Sequence, residues 1–383
     1  MLLPIILSIF VHSAAGQYVD RPCGKDIGNL WLDIVILIDN SNGMTQNGLN
    51  QVVQNIGDVF KNGTRIGVHL EPRTTRVGVV TYSNQATTVA DMKQLQSYES
   101  LVAELAGVSI SGNDTSYLAI GLVQAFNTLF GDNSRSNYQK VILVYAASYQ
   151  GTGKLDPATT ALKVKEDGAI IVTVGMVENG GDGGFLGQLA AIATSTNYAL
   201  DNLSGGSLVE KVQNGLLQVN CFCPINLYVW RQYQTSYTDK NSYKYGTCLQ
   251  DTKYHQAWST AKIDCQGRVR NGYLATENTK AKHDFMFQLV REDFKTPYAY
   301  YIGLTFVNGG WYWQQPKNMA LVPLGNETFW APGFPTSMST NTGVVSIQDG
   351  KNQTASWQNI NPYTASHQAI CEVDACDTDN YCP

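Results

Sequence analysis

The stretch of this sequence best furnished for chemistry is Asp39-Asn40-Ser41-Asn42-Gly43. An acid and a hydroxyl two residues apart, in a turn of small polar residues, are oxygen donors of the kind a hard divalent cation takes. Farther along, Asn113-Asp114-Thr115 offers a second carboxylate. No catalytic constellation competes with these. Outside the leading segment the histidines are His69, His255, His283 and His367, scattered and without metal-ligand spacing. Gly180-Gly181-Asp182-Gly183-Gly184 is glycine-rich but lacks the Lys-Ser/Thr of a phosphate loop. Neither a Gly-X-Ser-X-Gly elbow nor a His-Glu-X-X-His pair occurs. The expectation is a binding protein, not an enzyme, with no cofactor.

The turn at 39–43 follows Leu32-Asp33-Ile34-Val35-Ile36-Leu37-Ile38, an apolar run broken only by Asp33. Short β-branched runs bounded by turn formers read as strands buried on both faces, which belong to parallel sheets. Similar runs stand at Arg76–Tyr82, Lys140–Ala146 and Ala169–Met176. Between them, helical spacing covers Asn47–Phe60, Tyr98–Leu105, Tyr117–Phe130, Pro157–Asp167, Phe185–Ala193 and Ser207–Val219. Strand and helix alternate as in an α/β doubly wound, mostly parallel sheet, and ligands of such sheets gather beyond the carboxyl ends of the strands. That is where Asp39 lies.

After Cys221-Phe222-Cys223-Pro224 the texture changes. Aromatics become dense, strands short, and Gly, Asn and Pro punctuate. Helical patterns cover His255–Cys265 and Asn278–Arg291. Trp311, Trp313 and Trp330, with Gln358 and Asn359, are candidate contacts for a sugar or peptide, although aromatics in such a setting are more often core.

Length allows two full domains. The net charge of −5 gives no reason to expect nucleic acid as a partner. Leu2–Val11 is apolar and runs into Ser13-Ala14-Ala15-Gly16, the pattern of a secretory signal peptide over 1–16. No other segment is apolar for long enough to span a bilayer. A secreted, extracellular chain is expected. The 8 cysteines, Cys23, Cys221, Cys223, Cys248, Cys265, Cys371, Cys376 and Cys382, then imply disulfides. Acceptors for N-glycosylation stand at Asn62, Asn113, Asn202, Asn326 and Asn352.

Residues 24–220 resemble a von Willebrand factor type A domain. The residues that carry the resemblance are Asp-Ile-Val-Ile-Leu-Ile-Asp-Asn-Ser-Asn at 33–42, Arg-Val-Gly-Val-Val-Thr-Tyr-Ser at 76–83, Lys-Val-Ile-Leu-Val at 140–144 and Ile-Ile-Val-Thr-Val-Gly at 170–175. The resemblance implies a metal-ion-dependent adhesion site built from an Asp-X-Ser-X-Ser loop, a Thr and a further Asp. Asp39 and Ser41 match it. Gly43 stands in place of the second Ser, Asp114 in place of the Thr with Thr115 beside it, and Ala147 in place of the Asp. With Asn113 a glycan acceptor in the same loop, Asp39, Ser41 and Asp114 are read as remnants of a degenerate site. Because such domains bring their termini together, Cys23–Cys221 is the expected bond, with Cys223 the competing partner.

Residues 221–374 resemble a C-type-lectin-like domain, an α+β fold, followed by a cysteine-containing tail at 375–383. Tyr301-Ile302-Gly303-Leu304 stands where that family has Trp-Ile-Gly-Leu, supported by Trp330–Pro335 and Ile370-Cys371-Glu372. The resemblance implies a Cys265–Cys371 bond closing a loop of roughly 100 residues, worth several kcal/mol. It also implies Cys223–Cys248, leaving Cys376 with Cys382. Sugar-binding members hold Ca²⁺ through two triplets; here these read Phe334-Pro335-Thr336 and Trp357-Gln358-Asn359, with no carboxylate in either. The pairing of the two domains resembles a nematode family of secreted C-type-lectin-like proteins. That implies extracellular recognition of a glycan or protein ligand, with bacterial surfaces and innate immune defence as the proposed setting. The alternatives are an adhesive matrix protein assembling through the first domain and a Ca²⁺-dependent carbohydrate-binding lectin.

Overall fold

The computed structural model describes residues 19–67, 72–131, 135–351 and 353–382. The signal-peptide pattern at 1–16, His69 and the acceptor Asn352 lie outside the described residues. The chain divides into two compact units, 22–248 with 374–383, and 249–373 with the segment up to 21. The boundaries at 248/249 and 373/374 fall inside strands. The change of texture at 221 is therefore not where the compact units part.

In the first unit the strands are β1 (Asp33–Asp39), β2 (Arg76–Tyr82), β3 (Ala86–Ala90), β4 (Lys140–Ala146), β5 (Ala169–Gly175) and β6 (Ala199–Asp201). They form one sheet in the order β3-β2-β1-β4-β5-β6. All neighbours are parallel except β3, which returns antiparallel along β2. The helices are α1 (Thr45–Phe60), α2 (Tyr98–Ala106), α3 (Leu118–Phe130), α4 (Pro157–Glu166), α5 (Leu186–Ile192) and α6 (Leu208–Val219). The doubly wound expectation holds. Alternation along β1 sorts the core: Ile34, Ile36 and Ile38 pack with α1, α2 and α6, while Val35 and Leu37 pack with α3, α4 and α5.

Register places the starts of three strands side by side. Asp33 opposes Arg76 on β2 and Lys140 on β4. The wholly buried Asp33 carboxylate receives Arg76 (2.6 Å), Arg135 (2.6 Å) and Lys140 (2.7 Å). Burial alone would raise its pKa, but the three cations hold it at about 2. This is why one acid can interrupt an apolar strand.

Residues 221–248 and the tail complete the unit. They include β7 (Arg231–Gln234), which pairs with β8 (Lys244–Asp251). Phe222 and Cys376 exchange backbone hydrogen bonds, and Trp31 donates from Nε1 to the Asp377 carbonyl at 2.9 Å. Cys23–Cys221, Cys223–Cys248 and Cys376–Cys382 are bonded here.

The second unit contains α7 (Trp258–Arg268), β9 (Tyr273–Leu274), α8 (Lys280–Asp293), β10 (Ala299–Val307), β11 (Gly310–Trp313), β12 (Val322–Pro323), β13 (Gly343–Gln348), β14 (Ala355–Ile360) and β15 (Gln368–Asp374). β10 is central: it pairs antiparallel with β11 and β13 and, through Tyr300 and Tyr301, parallel with β15. Gly303 on β10 has a steric reason to be glycine, since a Cβ there would stand 2.4 Å from the Leu274 carbonyl oxygen. Cys265–Cys371 ties α7 to β15. All four expected bonds are formed, and no cysteine is free. Among the described residues no helix is long and apolar enough to cross a membrane.

Candidate functional site

The in-register ends of β1, β2 and β4 bring three loops of the first unit together: 40–44 after β1, 107–117 before α3, and 147–152 after β4. Asp39 is buried among them. Its Oδ1 accepts from the Ser41 backbone N–H at 3.0 Å. Its Oδ2 accepts from the Ser116 hydroxyl at 2.8 Å and from the Ala147 backbone N–H at 3.3 Å. Beneath it, Tyr82 is wholly buried, and burial followed by the charge of Asp39 holds its hydroxyl well above the usual phenol range. Above it, Asn42 reaches across to the second loop. Its backbone N–H donates to the Asn113 carbonyl at 2.7 Å. Its side-chain amide donates to the Gly112 carbonyl at 3.1 Å and to the Asp114 carboxylate at 2.7 Å. Gln150 of the third loop accepts from the Ser116 backbone N–H at 3.1 Å. Ser41 Oγ is buried and has no protein partner.

In the second unit the residues expected as ligand contacts divide. Trp313 is 1% exposed and Asn359 2% exposed, so neither can touch a ligand; the expectation fails for both because they are core. Trp311 and Trp330 are half-buried, with ring centroids 4.9 Å apart; Gln358 is half-buried on β14. Asn359 has a different task. Its amide donates to the carbonyls of Thr336 and Asn341 (2.8 Å for the latter), and its Oδ1 accepts from the Thr336 N–H at 2.7 Å. It thus shapes the loop beside the tryptophans. Trp357, fully buried, donates from Nε1 to Glu277.

Glu277 is a second buried acid. It also accepts from Tyr300 at 2.6 Å and from His283 Nδ1 at 2.7 Å. His283 Nε2 lies 3.0 Å from the Ala355 carbonyl. A carboxylate and a carbonyl only accept, so both ring nitrogens carry protons and His283 is a cation. Burial works against that charge, but Glu277 and the Ala355 carbonyl raise its pKa above the usual histidine value.

Residues 33–214 match the von Willebrand factor type A domain family. They form a von Willebrand factor type A domain. Over 96% of its length the chain is 28% identical to C-type lectin domain-containing protein 160 of Caenorhabditis elegans, and it spans 56% of that protein. Among solved structures, proximal thread matrix protein 1 of the mussel byssus aligns with 52% of this chain and 49% of its own, at 17% identity and a TM-score of 0.42. The C-type lectin CEL-I of Cucumaria echinata aligns with 33% of this chain and 89% of its own, at 16% identity and a TM-score of 0.28.

The family implies a divalent cation at this apex, and the donor set decides whether the residues fit one. Gly43 brings no side-chain oxygen. Ala147 presents an N–H, a donor, toward Asp39 where an acceptor is needed. Asp39 Oδ2 already receives two donors, and the Asp114 carboxylate is engaged by Asn42. The orphaned Ser41 hydroxyl and what remains of two engaged carboxylates fall short of the roughly six oxygens a hard cation takes. Among the described residues no cluster of three His, Cys, Asp or Glu could hold a metal. The residues present do not fit a divalent cation.

Of the glycan acceptors, Asn62 and Asn326 are exposed and Asn113 half-buried. Asn202 is committed to the fold: its amide donates to the Val177 carbonyl and its Oδ1 accepts from the Val177 N–H, each at 2.9 Å. A glycan on Asn202 would leave its amide a single N–H for this pair.

Sequence reasoning missed Asn42, Ser116 and Gln150, which organise the apex, and Glu277 and His283. One signal was available for Ser116, a hydroxyl immediately before the apolar pattern of α3 and beside Asp114.

Proposed function

We propose that this chain is a secreted extracellular recognition protein. It binds a glycan or protein ligand, on a bacterial surface in innate defence, by surface contact without bound metal and without catalysis. The observation that carries the reading is the half-buried pair Trp311 and Trp330, 4.9 Å apart, near in sequence to the loop that Asn359 holds. Indole faces stack on sugar rings or peptide side chains, and neither contact needs a cation. Four disulfides with no free cysteine suit an oxidising compartment. The lectin-like relative supports the same class of role. The test is a glycan, peptidoglycan and bacterial-surface binding screen of the full chain, run with Ca²⁺ and with chelator. Binding should survive chelator and fall in Trp311→Ala and Trp330→Ala. Chelator-sensitive sugar binding would move the assignment to a Ca²⁺-dependent lectin. Multimers in sedimentation, without ligand binding, would move it to a matrix component.

A further inference from the structure

We infer that the type A domain has replaced its bridging cation with a side-chain amide, so that the apex is locked by protein hydrogen bonds alone. A cation at such a site ties the loops together by drawing oxygens from each toward one centre. Here the ties are made directly. Asp39 of the first loop takes Ser116 from the second and Ala147 from the third. The third loop returns through Gln150 to the Ser116 N–H. Over this buried centre the Asn42 amide, a double N–H donor, spans from the first loop to Gly112 and Asp114 of the second. An NH₂ group offers hydrogen to acceptors as a cation offers charge, and it does so without an ion.

Two further features agree. At Gly43 an added Cβ would meet nothing closer than Ser41 Oγ at 3.6 Å, so space does not explain the missing serine. Asp114 is exposed, and its carboxylate accepts from the neutral Asn42 amide. The apex therefore does not capture a partner's carboxylate, the group that would complete a cation's shell; it repels one. The inference deepens the metal-free reading of the proposed function for the type A domain alone. It stands or falls independently of the Trp311 and Trp330 surface.

The experiment is hydrogen exchange of the full chain in chelator and in millimolar Mn²⁺ or Mg²⁺, on the natural protein and three variants. In the natural protein, exchange at 111–116 should be the same with and without metal. Asn42→Ala should speed it roughly tenfold, the factor expected for losing one or two net hydrogen bonds, and metal should not restore it. Gly43→Ser combined with Ala147→Asp, which supplies two missing oxygens, should make exchange in these loops metal-dependent. Asp39→Asn serves as the metal-blind control. Metal-dependent protection in the natural protein that disappears in Asp39→Asn would overturn the inference. So would an Asn42→Ala variant with unchanged exchange.

Discussion

Two asparagines, one in each unit, hold neighbouring loops through their side-chain amides, and they differ in burial. Asn359 is 2% exposed and makes its bonds inside the second unit; Asn42 is exposed on the rim of the type A domain. The chemistry is alike: the Asn359 amide bridges two backbone carbonyls, and the Asn42 amide bridges a backbone carbonyl and the Asp114 carboxylate. The consequence is different. Losing the buried amide takes from its part-buried partners bonds that water replaces only in part, whereas an exposed bond exchanges for solvent. The two clusters also stand on different acids. Asp39 takes only neutral donors, while Glu277 takes a histidine cation. The second cluster thus contains a titrating histidine.

The largest expected effect sets the scale for this comparison and lies at the other end of the sheet. Asp33→Ala strands Arg76, Arg135 and Lys140 without their shared anion. Breaking a buried pair costs about 3–5 kcal/mol, read as a shift in the urea midpoint. The folded pKa of Asp33, about 2, is depressed below its ordinary 3.8. Its contribution is therefore present above pH 3.8 and is lost as pH falls through about 2, a difference of roughly 2 kcal/mol.

Next comes Asn359→Ala. It leaves the Thr336 N–H and the carbonyls of Thr336 and Asn341 without the amide that held them, about 2–4 kcal/mol for the three bonds together, with faster exchange at 336–341. If it costs no more than an exposed substitution, the contrast between the two asparagines fails.

Ser116→Ala should cost about 1–3 kcal/mol, since it removes a hydroxyl donor from a buried carboxylate. The loss should be independent of added Mg²⁺. A variant that Mg²⁺ stabilises would break the symmetry drawn here.

The smallest effect is the pH response of the second unit. The folded pKa of His283 is raised, so its stabilising contribution is complete below the ordinary value of 6.5 and is lost as pH rises through the folded value. Thermal melts across pH 5 to 9 should show this decline, and His283→Gln should flatten it. A decline that persists in His283→Gln would place the titrating group elsewhere.

Much of the fold was legible because burial on both faces of a parallel sheet leaves continuous apolar runs, as at Ile34–Ile38; the cysteine pairs were legible only through the family resemblances. Asp33 was also legible in kind, since a charge inside such a run must be paired, but its partners come from three different segments. The boundary of the units was not legible. Residues 221–248 and 374–383 join the first unit through Trp31, Phe222 and Cys376, contacts that no local pattern announces. At the site, composition could not separate Trp311 and Trp330 from Trp313 and Trp357, because the same indole serves surface and core. Loss of the cation was readable at Gly43 and Ala147. Its replacement was not, since Asn42 is an ordinary turn residue until the second loop is placed beside it.

The most direct measurement of the central claim is calorimetric titration of the chelator-stripped full chain with Mn²⁺ and with Ca²⁺. The account predicts no saturable binding at submillimolar metal and no change in ligand affinity when chelator is added. Saturable binding with one site per chain, abolished by Asp39→Asn, would contradict it.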